Sequence, residues 1–215
     1  MVVAEALVYH RMMRKALLLT TLVGLIFLRC AQRGLIPLEK GLAEDREIRH
    51  YISDVPFFPQ TKYQCGPAAL ASVLNYYGCR LTPGEIAKAI YEKRLKGTLS
   101  IDLTLFARRM GFNARALKGS ISDLKGHISR DRPLIVFQDL GTPLFPIRHF
   151  SVVIGYDDAK GILVLHSGRR RDTVISYERF LKSWAEMDYW TLLILPAGVD
   201  GDRFDTPTSS KSSFT

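Results

Sequence analysis

The hydrophobic pattern of this chain changes character once, and that change limits the folds open to it. Up to Gly111 the apolar residues fall in helical runs closed by glycines; from Pro133 onward they gather in short runs of strand length. The spacing predicts helices from Ala68 to Tyr77, from Thr82 to Lys93 and from Ile101 to Met110, the first stopped at Gly78 and the last at Gly111. Thr82, Pro83 and Glu85 form a capping-box start for the second. Strands are expected at Pro133 to Gln138, Phe150 to Tyr156, Ile162 to Leu165 and Thr191 to Leu195. Gly155, Asp157, Asp158 and Gly161 supply the turn of a hairpin whose open end holds His149 and Leu165. Ser176 to Ala185 returns to helical spacing, with Phe180, Leu181 and Trp184 on one side. Helices followed by a sheet give an α+β domain, a helical N-terminal half packed on an antiparallel β-sheet.

At 215 residues and 47% hydrophobic content the chain suffices for one well-buried domain. Its net charge of +9 is scattered, and Arg169, Arg170 and Arg171 make the one tight basic run of the domain. No helix-turn-helix, zinc-finger or aromatic-basic motif accompanies that run, so it reads as a solvated loop and no nucleic-acid partner is expected. The three cysteines make no disulfide framework, and without a CxxC pair or a histidine cluster no metal site is expected.

Residues 1–33 read as a signal peptide or membrane anchor. Arg11, Arg14 and Lys15 precede an uncharged run from Ala16 to Leu28, whose thirteen residues match a signal-peptide core. A helix of that length is shorter than the roughly 30 Å hydrocarbon layer, which favours export, to a bacterial periplasm or cell envelope. Arg29 stands where a cleavage site wants a small residue, so cleavage, lipidation at Cys30 and retention as an anchor all stay open. Residues 34–47 read as a linker, 48–198 as the domain and 199–215 as a polar tail too poor in apolar groups to fold alone.

Within the domain, Cys65 opens the first apolar helix. A thiol there meets free backbone N–H groups and the positive end of the helix dipole, both of which favour thiolate, the form that attacks carbonyls. Gly66 leaves room for a substrate backbone, and Pro67 starts the helix without wasting an N–H. Gln60, five residues upstream, can donate its side-chain amide to an oxyanion together with the Cys65 backbone N–H. Cys79 closes the same helix about 20 Å away, beyond disulfide reach, so Cys65 stays unbridged.

Among five histidines, His10 lies in the N-terminal segment, His50 precedes the first apolar run and His127 sits on the solvated side of a polar helix. His149 directly precedes a buried strand, where a side chain can project from a rigid scaffold into a cleft.

Val55 to Pro59, Gln60, Cys65-Gly66-Pro67-Ala68-Ala69, Asn75-Tyr76-Tyr77-Gly78, His149-Phe150 and Gly155-Tyr156-Asp157 together resemble the C39 peptidase family and its stand-alone C39-like relatives, within the papain-like superfamily. The resemblance implies a papain-like cysteine-peptidase fold and an acyl-enzyme mechanism on a peptide or protein substrate. Cys65 would be the nucleophile, Gln60 an oxyanion donor and His149 the acid that protonates the leaving amine, with no cofactor. The family pattern also calls for an Asp or Asn about seventeen residues beyond the histidine, and that position is His166. His166 is therefore the expected third member, as a neutral partner of His149. Its identity also leaves open a non-catalytic module that binds peptide without cutting it.

Overall fold

The computed structural model describes residues 48–60 and 63–199. The expectations for the N-terminal segment, the linker and the tail past Val199 lie outside them. Among the described residues no helix is long and apolar enough to cross a membrane.

Five helices are described: α1 Cys65–Tyr76, α2 Pro83–Ile90, α3 Ser100–Arg109, α4 Ile121–Ile128 and α5 Tyr177–Ala185. They accompany seven strands: β1 Arg49–Tyr51, β2 Asn113–Lys118, β3 Leu134–Asp139, β4 Arg148–Asp157, β5 Ile162–Ser167, β6 Arg170–Ser176 and β7 Trp190–Leu195. The strands form one antiparallel sheet in the order β2-β7-β3-β4-β5-β6. β1 takes the flank of β4 that β3 leaves at Val153. The α+β class and the helical first half hold.

Local chemistry explains the helix boundaries. The Thr82 hydroxyl accepts from Glu85 N at 3.2 Å while a Glu85 carboxylate oxygen accepts from Thr82 N at 2.8 Å, the reciprocal cap expected from sequence. α1 and α3 give way to Gly78 and Gly111, at φ +92° and +88°, where a side chain would be strained.

Three strands escape the sequence pattern. β1 is only three residues long. β2 and β6 are the two outer strands of the sheet, so their residues alternate less sharply and β2 buries only Ala114 fully. Arg170 and Arg171 consequently belong to β6 and not to a loop. His127, expected on a solvated face, is 5% exposed because α4 turns it inward with Leu124 and Ile128.

The core lies where α1, α4 and α5 pack on the central strands, with Leu70, Leu74, Ile135, Ile154 and Trp184 all fully buried. Trp184 of α5 packs its ring 5.0 Å from Phe180 and 5.3 Å from Tyr189, centroid to centroid, and its Nε1–H donates to Trp190 O at 3.0 Å. Trp184→Ala removes all three contacts. It is expected to cost about 3–5 kcal/mol of unfolding free energy, read as a lower denaturant midpoint at unchanged m-value.

The register of β3 on β4 sets which side chains meet. Gln138 pairs with His149 and Val136 with Ser151, and direct cross-strand partners share a face of the sheet. On that face Gln138 donates to the Ser183 hydroxyl of α5 at 2.8 Å. The opposite face carries the stacked rings of Phe137 and Phe150, 4.2 Å apart, with Trp190 against both. His149 thus leaves the sheet on its polar side, at the end where β4 begins.

Candidate active site

α1 starts at Cys65 itself, preceded by Gln64, which makes no side-chain cap. The thiol meets three backbone groups, those of Phe150, Gly66 and Cys65, whose hydrogen bonds favour the thiolate. Phe150 follows His149 in β4, so this contact brings the sulfur to the strand residue next to the imidazole. Burial nevertheless outweighs these bonds and pushes the Cys65 thiol up from its ordinary value. The depressed thiol expected from the helix dipole alone is not what the resting site holds, because the sulfur is withdrawn from water. Both Cys65 and Cys79 are free, as their separation requires.

Gly66 has a different role from the one its position suggests. A Cβ built there would lie 3.1 Å from Thr98 Cβ and 3.3 Å from Leu103 Cδ1. The missing side chain makes room for the protein's own loop and α3, so the first turn of α1 is packed from behind.

His149 Nε2 lies 3.0 Å from Ser167 Oγ, and the Ser151 hydroxyl donates to the same oxygen at 3.2 Å. Ser167, at the end of β5, therefore occupies the place beside the imidazole that was expected of His166. His166 points elsewhere. Its Nε2 faces Val55 O at 3.0 Å, its Nδ1 lies 3.5 Å from an Asp172 carboxylate oxygen, and its ring meets Phe57 edge-on with centroids 5.2 Å apart. Burial lowers the pKa of both histidines, and it brings His149 down to about 4. At neutral pH the His149 ring is uncharged.

Gln60 is fixed on three sides. Its backbone N donates to Gly168 O at 2.9 Å, Gly168 N donates to its Oε1 at 3.1 Å, and its Nε2 donates to Phe150 O at 3.3 Å. One amide hydrogen is thereby engaged, and the second of the two on Nε2 is the one left for a ligand. Three consecutive residues of one strand end hold three parts of the site: His166 holds Val55, Ser167 holds His149 and Gly168 holds Gln60. Among the described residues no cluster of three or more potential metal-ligating side chains exists.

A family model described as the Peptidase_C39 like family matches residues 52–191, well over half of the chain. The chain belongs to that family. Relatives of this C39-like domain include an uncharacterized protein of Methanothermobacter marburgensis, 32% identical over 113 residues, which make up 52% of this chain and 72% of the relative. Among solved structures, the peptidase domain of Streptococcus ComA, a bifunctional ABC transporter of a quorum-sensing pathway, is 25% identical with a TM-score of 0.53, covering 66% of this chain and 98% of that domain. A double-glycine-motif protease from an AMS/PCAT transporter, in complex with its leader peptide, is 20% identical with a TM-score of 0.51, covering 70% of this chain and 99% of its own. These likenesses establish the papain-like fold of the C39 peptidase domains.

Sequence reasoning missed Ser167 in this C39-like domain. His149 and Ser151 put polar groups on one face of β4, and a buried polar row requires a polar partner on the next strand, but unbroken alternation from the hairpin turn places position 166 there, and the register shift between Val153 and Gly155 brings Ser167 to that face instead.

Proposed function

We propose that the chain is a cysteine peptidase in which Cys65 is the nucleophile and His149 the base. The reading is carried by one observation: the Phe150 backbone, in the residue after His149, contacts the Cys65 sulfur, while Ser167 Oγ lies 3.0 Å from His149 Nε2. With Nε2–H donating to Ser167 Oγ, Nδ1 carries the lone pair. The thiol attacks a peptide carbonyl as its proton passes to Nδ1, and the oxyanion is met by the Cys65 backbone N–H and the second N–H of Gln60 Nε2. His149 returns the proton to the leaving amine. Water then opens the thioester, with Nδ1 again accepting a proton, and the peptide acid leaves.

Because thiol and imidazole are both neutral at rest, His149 acts as a general base during attack, and the site does not hold a standing ion pair. A peptide or protein substrate is supported by the family, and a cell-envelope setting by the basic and apolar start of the sequence. The neutral Ser167 where the family pattern asks for a carboxylate or amide favours one second reading, a module that captures peptide without turnover.

A peptidyl vinyl sulfone tests the assignment, since conjugate addition of the thiolate is coupled to proton transfer near the sulfur. Mass spectrometry is expected to find one adduct, at Cys65, with Cys79 unmodified. Equal modification of the two cysteines would remove the peptidase reading. Release of fragments from a mixed peptide library by the wild type, lost in Cys65→Ala, separates turnover from capture.

A further inference from the structure

The β3–β4 connection carries the most exposed large apolar side chains described in the structure. Leu144 is 84% and Phe145 76% exposed, flanked by Ile147 at 58% and Leu140 at 45%. A loop that displays such groups to water runs against the hydrophobic effect unless another apolar phase meets it.

This tip is rigid. Thr142 and Phe145 exchange both backbone hydrogen bonds at 3.0 Å, and Leu140 N donates to Ile147 O at 2.9 Å. One Asp139 carboxylate oxygen accepts from Gly141 N at 2.9 Å and Ile147 N at 2.8 Å. A Cβ on Gly141 would stand 2.1 Å from Phe145 O, so the turn closes only around glycine. The apolar side chains are therefore presented by a built turn, and little ordering is left to be done on contact.

The sheet places a second feature beside it. Asp139 pairs with Arg148 at the start of β4, and Ser167 pairs with Arg170 at the end of β5, so the β3–β4 and β5–β6 tips lie at the same end of the sheet. Two strand spacings, about 10 Å, separate them. Arg148, Arg169, Arg170 and Arg171 are all exposed there. Of the carboxylates at this end, Asp139 is turned into the tip, and Asp172 lies 3.6 Å from Arg171 Nε.

We infer that this end of the sheet docks on an anionic phospholipid surface, with Leu144 and Phe145 inserted at the acyl boundary and Arg148, Arg169 and Arg170 against the headgroups. The charge is of the right sign, and basic groups beside apolar ones are what an anionic interface selects. A projecting tip whose side chains stand this far into solvent offers no walls to enclose a peptide residue, whereas a bilayer encloses whatever enters it. His149 and Ser167 occupy the same end, so docking sets the site at the membrane surface, facing substrates held there. The lipid contact itself needs no chemistry at Cys65.

The test uses the full chain carrying Phe145→Trp, with vesicles of phosphatidylglycerol or phosphatidylcholine containing bromine-labelled acyl chains. The added tryptophan reports the tip's own position whatever the rest of the chain does on the vesicle, with the wild type as background for Trp184 and Trp190. Its emission is expected to shift to the blue and be quenched by phosphatidylglycerol vesicles only, and equally so in a Cys65→Ala background. Arg169→Glu with Arg170→Glu should raise the lipid concentration for half-quenching about twenty-five-fold or more, from roughly fivefold per arginine. Three results would overturn the proposal: vesicle-bound protein whose added tryptophan stays unquenched, equal quenching by phosphatidylcholine, or a shift produced by a mixed peptide library and not by lipid. Retention of Cys65-dependent turnover alongside any of these would leave the peptidase reading standing.

Discussion

His149→Ala is expected to lower peptide turnover by roughly a thousandfold or more, with the fold unchanged. Acid–base catalysis by a positioned imidazole is worth about a hundred- to ten-thousandfold. Here the loss falls at the upper end, because the thiol it must activate is itself pushed up by burial and so little thiolate exists without help. The measurement is initial rate on a mixed peptide library, with circular dichroism showing an intact fold. A variant that keeps a tenth of the wild-type rate would remove His149 from the mechanism and return it to a structural role.

Ser167→Asp carries the second large effect. A carboxylate beside Nε2 favours the charged imidazole, typically by one to three units, where the serine hydroxyl offers no charge. The Ser151 hydroxyl, which already donates to position 167, is placed to donate to the carboxylate as well. The His149 pKa, about 4 in the native site, should therefore rise by at least about one unit, read from the pH dependence of its ring proton resonances. Stability follows with a definite sign. A folded-state value of about 4 against about 6.5 in the unfolded chain means that the unfolded state binds the proton more tightly. His149 then costs nothing above about pH 6.5, and the protein loses up to about 3 kcal/mol as pH falls from there through 4. In Ser167→Asp this acid weakening should shrink or reverse, and denaturant midpoints at pH 4.5 and 7.5 measure it. An unchanged imidazole titration would show that position 167 does not set the charge of the base.

The sequence reveals the helices and the central strands because their chemistry is local: the Thr82 cap, the glycine stops after α1 and α3, and the dense apolar runs of β3, β4 and β7. β2 and β6 are hidden because an outer strand pairs on one side only and keeps polar residues such as Arg115 and Arg170 in water, so its alternation fades into that of a loop. Cys65, Gln60 and His149 are legible by residue type beside an element boundary. His166 was a one-residue error with a physical origin. The β4–β5 ladder shifts register between Val153 and Gly155, and an extra residue in one strand moves every later side chain to the other face. Counting along the chain lands on His166, while the bulged ladder brings Ser167 to the imidazole.

His166, Ser167 and Gly168 reach in three directions from a single strand end. The imidazole of His149, the amide of Gln60 and the segment at Val55 are thereby moored to one post. A tug on the β5–β6 turn would displace all three together, so on the proposed mechanism a change in that turn reaches the chemistry even though none of its arginines takes part in it.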